Sequence, residues 1–214
     1  MPGTRLTLPN AITLARIAVC PPIFFLAMAP GYGARFWAFG LFVAAGLSDV
    51  WDGWLARRYD LVTDTGKLLD PIADKLLLVA TFVPFYIVSH RGTEADLIPW
   101  WGAMPLWVIL VIFGRELFIT LFRGYAARRG VVIAAGKSGK RKALFQALFV
   151  GGLLLWYPLR LLADAQSWNG AFWAFWQRLH GAWIGVTLAA AIVLTIYSML
   201  DYLWSYRSLV GIRD

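Results

Sequence analysis

Six stretches of mostly apolar residues dominate this chain: about Ile12–Ala29, Phe36–Ala56, Leu68–Ser89, Trp101–Leu121, Ala143–Leu162 and Ile184–Trp204. Each is close to the roughly 20 residues a helix needs to cross a bilayer. Inside lipid, a lone apolar segment must satisfy its own backbone hydrogen bonds, which makes it helical. At 60% apolar and 15% charged residues, the chain lies outside the range of ordinary soluble domains. The expected fold is therefore all-α: a polytopic membrane protein with six transmembrane helices. It forms a single membrane-embedded domain over 1–214, with residues 1–10 as an N-terminal arm.

Lysines and arginines set the orientation. Arg5, Arg57, Arg58, Lys67, Arg123, Arg128, Arg129, Lys137, Lys140, Arg141, Lys142, Arg207 and Arg213 gather on one side, against Arg35, Arg91, Arg160 and Arg178 on the other. Both termini are thus expected in the cytoplasm, as an even number of spans requires, with the cell (inner) membrane as the location. Topology alone accounts for this bias, and no nucleic-acid partner is expected from it. A cleavable signal peptide ending at Ala27-Met28-Ala29 is the competing reading of the first span, and Cys20-Pro21-Pro22 inside its apolar run counts against it. Cys20, the single cysteine, excludes an intrachain disulfide and reads as core. His90 and His180 stand alone and read as interfacial. The aromatic-rich stretch 164–181 is expected to lie as a loop at headgroup level, where tryptophan is favoured.

Against this apolar background, Ser48–Lys75 carries four aspartates. Asp49 and Asp52 are three apart, and Asp70 and Asp74 four apart, so each pair shares a helix face. A short polar loop between them implies an antiparallel hairpin with both pairs at one membrane surface. Carboxylates inside a membrane protein are expensive and mark functional sites. Gathered together they repel, so protons or cations must neutralise them. Oxygen ligands without His or Cys suit Mg²⁺ or Mn²⁺, and four carboxylates suffice for two metals sharing a phosphoryl-transfer site. Gly53 would let a substrate lie against the backbone, Arg57 can fork onto phosphate, and Gly66 would relieve a tight turn. The structural alternative is an ion-paired hairpin with Arg57, Arg58 or Lys75 as partners.

The pattern Asp49-x2-Asp52-Gly53-x2-Ala56-Arg57-x8-Gly66-x3-Asp70-x3-Asp74 resembles, at every fixed position, the signature of the CDP-alcohol phosphotransferase family. The resemblance implies that family's six-helix fold, a homodimer, two divalent metal ions (Mg or Mn), and attack of an alcohol on the lipid-side phosphorus of a CDP-lipid with release of CMP. By position it implies that Asp49, Asp52, Asp70 and Asp74 are metal ligands and that Asp74 is also the general base. Gly53, Arg57 and Thr63 fall where the family holds the cytidine diphosphate. For Thr63 the alternative is a solvated loop residue.

Leu8-Pro9-Asn10-Ala11-Ile12-Thr13-Leu14-Ala15-Arg16 is similar to the opening of those members whose acceptor is glycerol 3-phosphate. Asn10 suits a helix N-cap, beside which phosphate can sit, and Thr13 lies one turn on. Both join the expected CDP-diacylglycerol contacts, with a plain cap as the alternative. Arg16 lies deep enough to require an acid or a substrate phosphate as partner. Gly114-Arg115-Glu116-Leu117, Leu121-Phe122-Arg123-Gly124 and Gly136-Lys137-Ser138-Gly139-Lys140-Arg141-Lys142 resemble the fourth and fifth helices of the same members. Arg115 and Arg123, two turns apart, with Lys137 and Lys140, would hold the acceptor's phosphate. The bland accounts are an interhelical ion pair for Arg115 and Glu116, and anionic lipid for the lysines. Other acceptors (an inositol phosphate, serine, phosphatidylglycerol), a divalent-cation transporter and a silent scaffold are the remaining alternatives.

Overall fold

The structure, a computed structural model, describes residues 7–59, 63–91, 93–131 and 136–207, without the side chains of Arg57, Asp64, Lys67 and Lys137. The described residues form six long helices: α1 (Leu8–Met28), α2 (Tyr32–Arg58), α3 (Asp64–Ser89), α4 (Leu106–Arg128), α5 (Lys137–Ala165) and α6 (Ala171–Ser205), with a 3-10 turn at Glu94–Asp96. Four carry windows long and apolar enough to cross a membrane: Leu8–Met28, Leu68–Ser89, Ser138–Ala165 and Ala171–Ser205. These apolar helices fit a multi-pass membrane protein.

α1 is the central wedge. Its buried positions Asn10, Thr13, Arg16, Cys20, Ile23 and Ala27 recur every three or four residues and so form one stripe. That stripe packs extensively against both α2 and α3, which share only marginal contact with each other. The face-to-face hairpin expected of α2 and α3 is therefore replaced by a three-helix arrangement with α1 between the aspartate pairs. The cause is that stripe: polar at its start and small or apolar beyond, it is complementary to both neighbours. α5 packs on α6 and α2, and α4 leans on α6.

Lipid is as apolar as a leucine side chain, so close packing rather than water exclusion holds such helices together. Phe82 and Phe85 of α3 meet Phe149 of α5 at centroid distances of 5.6 and 6.0 Å, and Phe113 of α4 meets Phe82 edge-on at 6.4 Å. Gly152 lets α6 approach α5, since a methyl there would lie 3.1 Å from Trp183. At the end away from the aspartates, Arg35 donates to Asp96 at 2.6 Å and to the Ala29 carbonyl at 2.7 Å. The Tyr157 ring lies under its guanidinium. This buried pair ties the α1–α2 turn to the 3-10 turn and α5.

Two boundaries differ from expectation. α4 begins at Leu106 rather than near Trp101, because Ile98–Gly102 forms a tight turn in which Trp100 and Gly102 both have φ of 69°. α6 begins at Ala171, so most of the expected aromatic loop is helix. The segment from Ala171 holds no proline, its first glycine after Gly170 is Gly181, and Trp176 packs on His180, which Trp156 of α5 meets from the other helix. His180 is accordingly buried, not interfacial.

The 98–102 turn lies over a small-residue notch on α6. Pro99 faces Gly181, and a methyl at Gly185 would sit 2.5 Å from the Trp100 ring. Gly185→Ala is expected to cost about 1–3 kcal/mol by overpacking. Thermal melts in detergent should show that cost largely removed in the double variant with Trp100→Ala.

Candidate active site

The aspartates converge, but on a partner from α1. Arg16, at 1% side-chain exposure, donates one amino group to Asp49 and the other to Asp52 at 2.5 Å, and lies 3.6 Å from Asp74. Thr13, one turn earlier, has its hydroxyl 3.0 Å from Asp70 Oδ1, 3.3 Å from Asp52 Oδ2 and 3.1 Å from the Pro9 carbonyl. A hydroxyl has a single proton to donate. Two carboxylates and a carbonyl therefore compete for it, and Arg16 supplies one positive charge against four negative ones. Arg58 and Lys75, the expected ion-pair partners, are not the ones used among the described residues. Asp52 is buried, whereas Asp49 and Asp74 are 52% and 65% exposed, so the cluster is open on one side.

Asn10 is not the N-cap of α1. That position belongs to Thr7, which makes no side-chain capping bond. Asn10 instead accepts a hydrogen bond from Thr63, whose hydroxyl also caps α3 by accepting from the Gly66 amide, both at 3.0 Å. Thr63 thus ties two helix starts together. Gly66 is not in a turn either: it lies in the first turn of α3, where a methyl would be 2.8 Å from Asn10 Oδ1. Its missing side chain admits α1. Gly53 is half-buried on α2 beside Asp52. Arg57 lies in the last turn of α2 and Lys137 at the first residue of α5; their side chains fall outside the described residues.

Arg16, Asp49 and Asp74 line a cavity of about 610 Å³, with Glu116 of α4 and Lys140 and Lys142 of α5 on its other wall. Below this charged rim the lining is mostly apolar, with Phe42, Val50, Leu77, Leu144, Ala147 and Val150, and with Thr81 and Gln146 as its polar members. Phe42 and Ala147 are shared with a second, apolar groove of about 730 Å³ between α2, α5 and α6. The arrangement suits a molecule with an anionic head and a hydrocarbon body.

The expected acceptor residues separate. Lys140 lines the cavity; Arg115 and Arg123 do not. Arg115 is buried, donating to Ser198 at 3.1 Å and to Glu116 at 3.1 Å, with its remaining amino group near Gly139. Arg123 is exposed and donates to the Tyr202 hydroxyl at 2.8 Å. Glu116 also accepts from Lys142 across the helix interface. Sequence reasoning placed Glu116 beside Arg115 but missed its bridge to Lys142. The signal was present: an acid on α4 inside oil, and a lysine far enough into α5 to need a counter-charge.

Among the described residues, no three His, Cys, Asp or Glu side chains stand arranged as a ready cage for an ion. The donor chemistry of the described residues nevertheless fits a hard divalent cation: four carboxylates, no nitrogen or sulfur ligand beside them, and the Arg16 guanidinium already acting as a cation among them.

The sequence profile of the CDP-alcohol phosphatidyltransferase family matches residues 6–203, and the chain belongs to that family. Within it, the chain is 36% identical over 212 residues to a probable phosphatidylglycerophosphate synthase of Mycobacterium tuberculosis, covering 97% of this chain and 85% of that protein. It is 35% identical over 196 residues to the CDP-diacylglycerol–glycerol-3-phosphate 3-phosphatidyltransferase of Bacillus subtilis, covering 82% and 95%. A CMP-forming cardiolipin synthase of Streptomyces coelicolor is 30% identical over 191 residues, covering 85% and 80%.

Removing Glu116 would leave Arg115 and Lys142 buried and like-charged. Glu116→Ala is expected to cost about 3–5 kcal/mol of stability, and the Glu116→Gln/Lys142→Met pair clearly less, as read from unfolding in detergent.

Proposed function

We propose that this protein transfers the phosphatidyl group of CDP-diacylglycerol to glycerol 3-phosphate, giving phosphatidylglycerophosphate and CMP. The observation that carries the reading is the cavity itself. Its charged rim joins Asp49 of α2 and Asp74 of α3 to cationic side chains of α5, and its depth is mostly apolar. Relatives named for this reaction cover most of the chain.

In this reading Asp49, Asp52, Asp70 and Asp74 hold two divalent cations, Mg or Mn. When bound, these would offset the charge of the pyrophosphate and of the departing CMP. Gly53, Arg57, Thr63, Asn10 and Thr13 contact the nucleotide side; Thr63 and Asn10 act by fixing the starts of α3 and α1. Asp74, open to the cavity, accepts the proton of the primary hydroxyl of glycerol 3-phosphate. That oxygen forms the new bond to the lipid-side phosphorus, and the phosphorus–oxygen bond to CMP breaks. The acceptor's phosphate sits at the start of α5, where free amide groups and the helix dipole favour an anion. Lys140 lines the cavity there, and Lys137, the first residue of α5, is assigned to the same phosphate. The spare amino group of Arg115 near Gly139, and Arg123 two turns on, complete the basic surround. The acyl chains leave sideways past Phe42 and Ala147.

The same reading places the site at the cytoplasmic face of the cell membrane, supported by the basic residues on the aspartate side of the bundle. A homodimer belongs to it on the strength of the family resemblance. The Streptomyces relative favours a second acceptor, phosphatidylglycerol, with unchanged chemistry. A cation conduit is disfavoured by Arg16, which stands among the carboxylates such a path would use.

Purified protein with CDP-diacylglycerol and Mg²⁺ should release CMP with glycerol 3-phosphate and not with inositol phosphate, serine or phosphatidylglycerol. CMP release with none of them rejects the reading; release with phosphatidylglycerol alone selects the second acceptor. Asp74→Asn is expected to lower turnover at least about a hundredfold, the usual lower bound for losing a general base, while CDP-lipid binding persists. Lys140→Ala should raise the KM for glycerol 3-phosphate more than that for CDP-diacylglycerol.

A further inference from the structure

Arg16 is the most enclosed member of the carboxylate cluster and its only described cation. Its two amino groups reach Asp49 and Asp52, and one of them stands 3.6 Å from Asp74. Its Nε is buried with no hydrogen-bond partner. Arg35, the buried arginine that braces the other end of the bundle, does engage its Nε, with the Ala29 carbonyl. Thr13, one turn away on the same stripe, is likewise shared between Asp52 and Asp70. Contacts from α1 thus reach all four aspartates, although α2 and α3 scarcely touch.

We propose that Arg16 is a built-in counter-ion: it holds the aspartates of α2 and α3 together before any divalent cation binds, and it competes with that cation for the same oxygens. The inference rests on the metal reading given above. Four carboxylates at this spacing repel when unneutralised, and the repulsion would drive α2 and α3 apart from α1. One guanidinium relieves enough of it to keep the bundle closed, and its planar fork suits two carboxylates from one helix turn. The same charge then opposes an incoming cation. Arg16 is a positioning residue, and its loss has two effects of opposite sign. The ion-free protein becomes less stable, and the divalent cation binds more tightly because both the competitor and the relief it gave are gone. A purely structural brace would give the first effect without the second, since a loosened cage binds ions less well.

The test needs neither lipid nor turnover. Full-length protein in detergent is titrated with Mn²⁺, free ion being read by electron paramagnetic resonance, and is melted in EDTA and in Mn²⁺. Arg16→Met is expected to melt several degrees below wild type in EDTA, to regain most of that loss in Mn²⁺, and to bind Mn²⁺ at least about tenfold more tightly. Tenfold is the modest end of what one unit charge within about 4 Å implies at an effective dielectric near 20. Arg128→Met, the loss of an exposed charge at the end of α4, should leave Mn²⁺ affinity within about twofold, as screened surface charges do. Unchanged or weaker Mn²⁺ binding by Arg16→Met, with wild-type binding intact, overturns the inference. Absence of Mn²⁺ binding by wild type instead overturns the metal reading beneath it. Recovery of folded Arg16→Met only when Mn²⁺ is present supports the inference. If that variant cannot be recovered at all, Arg16→Lys decides: one ammonium cannot span both carboxylates, so its Mn²⁺ affinity must exceed that of wild type, and equality overturns the idea.

Discussion

Mutual repulsion among four carboxylates is the constraint around which this bundle is built. An ionised acid in an apolar setting is tolerated only when paired, and among the described residues one guanidinium and one hydroxyl, both from α1, face all of them. That requirement explains why α1 lies between the two aspartate-bearing helices. It also explains why one stripe of α1 changes character along its length, from Asn10, Thr13 and Arg16 at the site to Cys20, Ile23 and Ala27 in the core. A helix can serve both roles because positions three or four apart share a face whatever their chemistry.

The two ends of the bundle solve different problems. Away from the site, Arg35 and Asp96 form a closed, well-partnered buried pair, with Thr93 donating to the same carboxylate. At the site, among the described residues, the acids outnumber their donors, and Asp49 and Asp74 remain open to the cavity. The first arrangement braces; the second is fit to receive charged ligands. Glu116 stands between these cases, bridging Arg115 and Lys142 while lining the cavity.

Much of this was legible from residue order. Apolar stretches gave the helices, and the pattern through Asp49, Asp52, Asp70 and Asp74 named the family. Arg16 announced its need for an acid by standing deep in an apolar run. The rest depended on which helices neighbour which, and periodicity is silent there. It finds the buried stripe of α1 without saying that two helices share it. For the same reason it does not show that Arg115 is held by Ser198 of α6 as well as by its neighbour Glu116. The 164–181 stretch misled for a different reason: interfacial aromatics favour the headgroup zone in loops and helices alike, so tryptophan content did not distinguish the two.

The length of α6 has a mechanical corollary. Its 35 residues extend roughly 52 Å at 1.5 Å per residue, against a hydrocarbon layer of about 30 Å. A rod so oversized must tilt or protrude, and Phe172, near its first turn, is the most exposed large apolar side chain among the described residues, with Phe175 also exposed one turn on. Such rings would act as a float at the far interface, fixing how high the bundle rides. Because the rod is rigid, the float would also set the elevation of the carboxylate chamber relative to the phosphates of the near leaflet, so that bilayer thickness itself becomes a variable in how readily a lipid headgroup reaches it.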